Sequence, residues 1–182
     1  MKHCLAIIAH AGAHETLAEF WPAWKKLRVP IVAFLPEGDE WPIAEQPDHL
    51  LHFGKSAHRG PDAFARLLHA FAALEPLGYE VATVIEPDCL PMRDELPDYN
   101  AGKLTGWTCK ITGGAESWEL CILPPWIATT ATLSLIASRC ASSAKLSHPD
   151  CGDLTDRWLL KACLENESPI AQSVDTFGYC WL

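Results

Sequence analysis

The stretch YEVATVIEPDCLPM (79–92) runs an apolar, β-branched segment straight into Glu86-Pro87-Asp88 and then into a turn punctuated by a second proline. Val81, Val84 and Ile85 suit a strand that is covered by other elements. Glu86 and Asp88 stand one residue apart at its tip. A turn that rotates two such carboxylates together lets both meet one hard divalent cation, and Mg2+ or Mn2+ then completes its shell with water and substrate phosphates. Pro87 would stiffen that turn. The plainer reading is a strand that simply ends in a polar turn, and the surrounding sequence has to weigh the two.

Upstream, CLAIIA (4–9) is a short continuous apolar run of the kind found in a strand covered on both faces. HETLAEFWPAWKKLR (14–28) places Leu17, Phe20, Trp21 and Trp24 at helical spacing despite Pro22, and ends in the basic residues that suit a helix C-terminus. VPIVAFLP (29–36) is a second strand ending in Glu37-Gly38-Asp39, and HLLHF (49–53) a weaker third. In PDAFARLLHAFAALEPLG (61–78), Phe64, Leu67, Leu68, Phe71 and Leu74 fall on one helical face before Gly78 closes the element. Strands alternating with helices predict an α/β fold, a three-layer α/β/α sandwich around a mainly parallel central sheet. In such sheets ligands bind outside the carboxyl ends of the strands, where residues 9–11, 37–39 and 86–88 would gather. Beyond residue 100, KLTGWTCKIT (103–112) and SWELCIL (117–123) read as strands around Gly113-Gly114. PPWIATTATLSLIASRC (124–140) reads as running into a helix, DLTDRWLLKACLEN (153–166) as another with Asp153 as N-cap, and AQSVDTFGYCWL (171–182) as a closing strand or tail.

The 182 residues suit one compact domain, and an apolar fraction of 49% with 8 tryptophans excludes general disorder. A net charge of −9 gives no broad electrostatic footprint for nucleic acid or an anionic membrane, which makes a nucleic-acid partner unfavoured. The opening apolar run is brief and flows into a helical pattern, so it reads as a core strand rather than a signal peptide. No apolar stretch approaches the roughly 18–20 residues that span a bilayer. The eight cysteines are scattered and form no C-x-x-C pair, which favours buried free thiols and a cytoplasmic protein over a zinc site or a disulfide framework.

The order of strand, helix, strand with a terminal acidic pair, helix, strand and Glu-x-Asp resembles the nucleotide-sugar half of glycosyltransferases of the GT-A fold. VIEPDCLPM (84–92) is similar to the D-x-D motif of that superfamily in a Glu-x-Asp form. The resemblance implies a single GT-A-like domain over 1–182, with residues 1–92 binding the nucleoside diphosphate sugar and residues 93–182 forming a compressed acceptor-side half. It implies metal ligands at Asp88 and Glu86 for Mn2+ or Mg2+, and donor contacts at His10, Ala11, Glu37 and Asp39. Apart from the resemblance, Lys55, His58 and Arg59 of the neighbouring loop are cationic or titratable side chains that could meet a diphosphate, and solvated loop charge is their equally simple role. GDLTDRWLL (152–160) resembles the late-helix acidic segment that supplies the base of inverting members, which implies Asp153 and Asp156 as catalytic candidates; helix capping and surface charge are their plainer roles. Trp126 in LPPWIATTATL resembles an acceptor-side stacking residue, and a core anchor is its plainer role. The acceptor itself is not indicated. The C-terminal histidine that often completes the metal shell has no clear counterpart, since His148 precedes the late helix.

Other chemistries fit less well. Gly54-Lys55-Ser56 lacks the full phosphate-loop spacing, His10 and His14 lack an H-E-x-x-H context, and no G-x-S-x-G elbow occurs. A sugar-nucleotide nucleotidyltransferase would need a glycine-rich loop after the first strand, for which AHAGAHE (9–15) is a poor substitute. A binding or regulatory module that kept the fold and lost turnover is the non-enzyme alternative.

Overall fold

The computed structural model describes residues 2–54, 60–96, 99, 102–111, 119–142, 155–173 and 179–181. In chain order, β1 (His3–Ile8), α1 (His14–Lys26), β2 (Ile31–Pro36), β3 (His49–Phe53), α2 (Gly60–Leu74) and β4 (Val81–Ile85) form the first half. They are followed by β5 (Cys89–Pro91), β6 (Leu104–Ile111), β7 (Glu119–Thr129), α3 (Thr130–Cys140), α4 (Thr155–Glu165), β8 (Ile170–Ser173) and β9 (Tyr179–Trp181). Seven strands make one sheet in the order β3-β2-β1-β4-β7-β6-β8, and β5 and β9 make a two-stranded ribbon. β1 pairs in parallel with β2 and β4, and β2 with β3. Among the described residues only β7 runs against its neighbours, β4 and β6, within the sheet. The expected mainly parallel α/β sheet flanked by helices is therefore present, and antiparallel β7 makes it mixed.

Alternation of side chains along doubly covered strands divides the core in two. Cys4, Ala6 and Ile8 of β1 and Val32 and Phe34 of β2 pack with Phe64, Leu67 and Phe71 of α2, Leu133 and Ile136 of α3 and Leu159 of α4. Leu5, Ile7, Ile31, Ala33 and Leu35 point the other way and meet Leu17, Phe20, Trp21 and Trp24 of α1. β1 from Cys4 on and β2 thus present apolar residues at every position because both their faces are roofed, which is why periodicity of two is invisible in CLAIIA and IVAF. Gly78 closes the 3-10 turn after α2 with φ 78°, a left-handed conformation that glycine adopts without the Cβ penalty.

One boundary departs from the expectation. Residues 124–129 continue β7 as a strand instead of starting a helix; the helix begins at Thr130, where the Thr129 side chain accepts from the Thr132 amide at 3.1 Å. Two prolines inside a central strand remove two ladder donors. The sheet absorbs them at an irregularity: β6 pairs Thr105 with Ile127 and then Trp107 with Leu123, so three residues of β7 face the single Gly106. The tail also differs from one closing strand, because β8 joins the main sheet beside β6 while β9 pairs with β5. Cys4, Cys89, Cys140 and Cys163 are buried and not in disulfides, as expected of packing thiols. Among the described residues no helix is long and apolar enough to cross a membrane. The Gly113-Gly114 turn and His148 lie outside the described residues.

At the amino edge of the sheet, the His3 ring lies 2.9 Å from the Thr83 hydroxyl, and burial lowers its pKa to about 4. In the unfolded chain the ring titrates near ~6.5. The unfolded state therefore binds the extra proton first, and the stability that neutral His3 contributes is full above about pH 6.5 and lost as the pH falls toward 4. Thermal melts between pH 7 and pH 4 should show a smaller acid loss for His3→Asn than for the parent; equal losses would remove His3 from the account.

Candidate functional site

Because β1, β2 and β4 are parallel, their carboxyl ends lie on one edge of the sheet. The edge is stitched by backbone hydrogen bonds: the Ala9 amide donates to Phe34 O at 2.9 Å, and the Glu37 amide to Phe53 O at 2.7 Å. His10 follows β1, Glu37 and Asp39 follow β2, and Glu86 and Asp88 follow β4. The His14 ring stands 3.7 Å from an Asp39 carboxylate oxygen and ties the start of α1 to the end of β2. The His10 ring contacts the Ala11 carbonyl at 2.9 Å, which turns it back onto the loop that follows β1.

The acidic corner is a turn. The Cys89 amide donates to Glu86 O at 3.0 Å, which makes Pro87 and Asp88 its two central residues. Proline suits the first of these because its φ is already set near the turn value. Pro87 is buried, while Glu86 and Asp88 are half-buried. From the opposite layer the Trp24 indole N–H donates to Cys89 O at 3.2 Å and fixes the outgoing chain against α1. β5 then pairs with β9, with Cys89 opposite Trp181, and brings the backbone of the last strand beside the motif.

Two observations bear on a cation. Asp88 Oδ1 is buried with no hydrogen-bond partner among the described residues, an acceptor whose desolvation is uncompensated. Glu86 carries a pKa raised to about 7, first by burial and next by the charge of Asp88, while Arg66 acts in the opposite direction. Carboxylate oxygens of this kind suit a hard divalent ion that takes its other ligands from water and phosphate. No group of three or more His, Cys, Asp or Glu side chains suited to a metal occurs among the described residues, so a complete protein cage is not offered there.

Arg66 is a component that the sequence reading missed. It lies on α2, is 6% exposed, and donates from Nη1 to Ala9 O at 3.1 Å. Burial lowers its pKa from the usual guanidinium value, and Glu86 raises it. The signal was available: Arg66 is three residues after Ala63 and four before Ala70, both fully buried, so a charge sits on the helix's inward stripe.

The remaining expected residues divide. Lys55, Arg59 and Asp153 lie outside the described residues, as does the side chain of Asp156 in the first turn of α4. Trp126 is 0% exposed and packs edge-on against Phe71, with ring centroids 6.3 Å apart. Its ring has no open face on which an acceptor sugar could stack, so its plainer role as a core anchor is the one this packing provides. A groove of about 590 Å3 between α2 and α3, lined in part by Asp62, His69, Ser134 and Ser138, includes none of the acidic edge residues. The chain matches no protein-family model, and no curated protein matches it in sequence.

Trp126→Ala should cost ~3–5 kcal/mol in urea unfolding, the usual range for deleting a buried tryptophan. A loss below ~1 kcal/mol would return the ring to the surface and reopen a binding role.

Proposed function

We propose that the chain is a GT-A-like glycosyltransferase that moves a sugar from a nucleoside diphosphate donor to an acceptor hydroxyl with Mn2+ or Mg2+. The observation that carries this reading is the Glu86-Pro87-Asp88 turn at the carboxyl end of β4, with a buried Asp88 oxygen that accepts no hydrogen bond among the described residues. Glu86 and Asp88 are the residues that would hold the cation. When bound, the ion offsets the negative charge that develops on the diphosphate leaving group as the glycosidic bond breaks.

The rest of the edge follows from position. His10 and Ala11, beyond β1, and Glu37 and Asp39, beyond β2, flank the same edge and would hold the nucleoside. Carboxylates accept from ribose hydroxyls, and Asp39 is already oriented by His14. Lys55 and Arg59 would add cationic contacts to the diphosphate. An acceptor hydroxyl has to lose its proton as it attacks the anomeric carbon, and Asp153 and Asp156, before and within the first turn of α4, are the bases assigned to that proton.

Purified protein incubated with a panel of nucleoside diphosphate sugars and Mn2+ should release the free nucleoside diphosphate. Asp88→Ala should lower that rate about 100-fold or more, the scale of removing one electrostatic stabiliser, with little change in melting temperature. Release by Asp88→Ala at the parent's rate would overturn the assignment of the corner. Formation of a nucleotide sugar from a nucleoside triphosphate and a sugar 1-phosphate would point instead to the nucleotidyltransferase alternative, and donor binding without release to a module that has lost turnover.

A further inference from the structure

We propose that Cys140 and Cys163 form a peroxide-reactive dithiol, in which Cys140 takes the oxidation and Cys163 closes it as a disulfide joining the carboxyl ends of α3 and α4. The inference is independent of the acidic corner and of the sugar-transfer reading.

The ends of these two helices meet in register. α4 finishes in a Schellman turn: the Ser168 amide donates to Cys163 O at 2.8 Å, the Glu167 amide donates to Leu164 O at 3.3 Å, and Glu167 itself takes a left-handed φ of 49°. Such a turn folds the residue after the left-handed position back against the last helical turn, which here brings Ser168 to Cys163. The last two residues of α3 dock on that turn in sequence. Arg139 Nη1 donates to Glu167 O at 2.8 Å, and the Cys140 sulfur lies 3.8 Å from the Ser168 hydroxyl oxygen. Both cysteines therefore border one serine, and their side chains hydrogen-bond to each other. Cys140, Cys163 and Ser168 are all buried, in a surround that includes the apolar side chains of Ile136, Leu159 and Ala162.

A thiol reacts through its thiolate. The hydrogen bond from Cys163 is the largest influence on Cys140 and, with Ser168 and Arg139 beside it, outweighs burial and brings its pKa down to about 7. The same bond raises the pKa of Cys163, which keeps its proton. Burial without such a partner does the reverse, and the Cys4 thiol is pushed up to about 12. Cys140 is thus the attacking sulfur and Cys163 the resolving one. The Cys140 thiolate attacks one oxygen of hydrogen peroxide: an S–O bond forms, the O–O bond breaks, and the departing hydroxide takes up the proton that Cys140 released, giving water. The Cys163 sulfur then attacks the sulfenic sulfur: the S–S bond forms, the S–O bond breaks, and the Cys163 proton leaves with the hydroxyl group as a second water. The two thiols supply the two electrons that reduce the peroxide. Entry is at a helix end, since Ala141 beside Cys140 is exposed and a peroxide little larger than water needs only the local opening that terminal turns undergo.

The test treats the reduced, folded full chain with hydrogen peroxide at neutral pH, quenches it with an alkylating reagent and maps the cysteines by mass spectrometry, with Cys4 as internal reference. The parent should form a cross-link between Cys140 and Cys163, reversible by dithiothreitol, at least about 10-fold faster than Cys4 is oxidised. The cross-linked chain should melt about 4 °C or more above the reduced chain. Cys163→Ser should instead accumulate a sulfenic acid at Cys140, trapped by dimedone, and Cys140→Ser should leave Cys163 reduced over the same time. If a serine variant does not fold, Cys163→Ala or Cys140→Ala takes its place, and the parent's cross-link is read without any variant. Oxidation of Cys4 ahead of the pair, a cross-link from either cysteine to a different one, or a cross-link that forms only in urea would overturn the proposal. So would a cross-linked chain that melts below the reduced one, because the native geometry would then not hold the pair ready to close. Oxidation of Cys163 at the parent's rate in Cys140→Ser would overturn the assignment of Cys140 as the attacking sulfur.

Discussion

Covering a parallel sheet on both faces leaves its strand ends as the place where side chains of those strands can meet a ligand. In β1, β2 and β4 the constraint is strict, because successive residues are buried alternately under α1 and under the helices of the opposite layer. Hydrophobic burial therefore does two things at once. It supplies the driving force for the fold, and it confines polar chemistry to the edge where Glu37, Asp39, Glu86 and Asp88 emerge.

The same burial has opposite electrostatic outcomes at the two ends of the sheet. At the amino edge it keeps His3 neutral beside the Thr83 hydroxyl. At the carboxyl edge it crowds two carboxylates, and α2 answers with a buried arginine. The turn between the carboxylates is held from within by the Glu86 carbonyl and the Cys89 amide, and from outside by the Trp24 indole. The corner so held keeps a buried Asp88 oxygen that accepts no hydrogen bond among the described residues, the feature on which the proposed cation role rests.

The strand-and-helix order through β4 was legible because each element announces itself locally. The apolar runs at 4–9 and 31–36 are too short for helices, α2 carries an apolar stripe broken only by Arg66, and HLLHF has the bounds of β3 as read. The acidic corner was legible for the same reason, as a polar turn at the end of such a run. What failed depended on partners distant in sequence. Pro124 and Pro125 look like a break before a helix, and only the irregular pairing with β6 lets β7 run on through them. β5 and β9 are three residues each and exist because they pair with one another, which neither segment discloses alone. Trp126 is amphipathic as a residue type, and its burial is decided by Phe71 on another element. Arg66 was readable as a charge on an apolar stripe, but its partner required knowing that α2 brings this side chain to the Ala9 carbonyl.

The central claim is that Glu86 and Asp88 form the cation corner of a sugar-nucleotide site. The most direct measurement is a crystal structure of the chain soaked with a nucleoside diphosphate and Mn2+, read by the anomalous signal of manganese. The account predicts a peak at coordinating distance, ~2.1 Å, from the Asp88 carboxylate, with the diphosphate on its far side and the nucleoside toward residues 10–11 and 37–39. A nucleotide bound away from the carboxyl edge, or one bound there with no manganese beside Asp88, would contradict it.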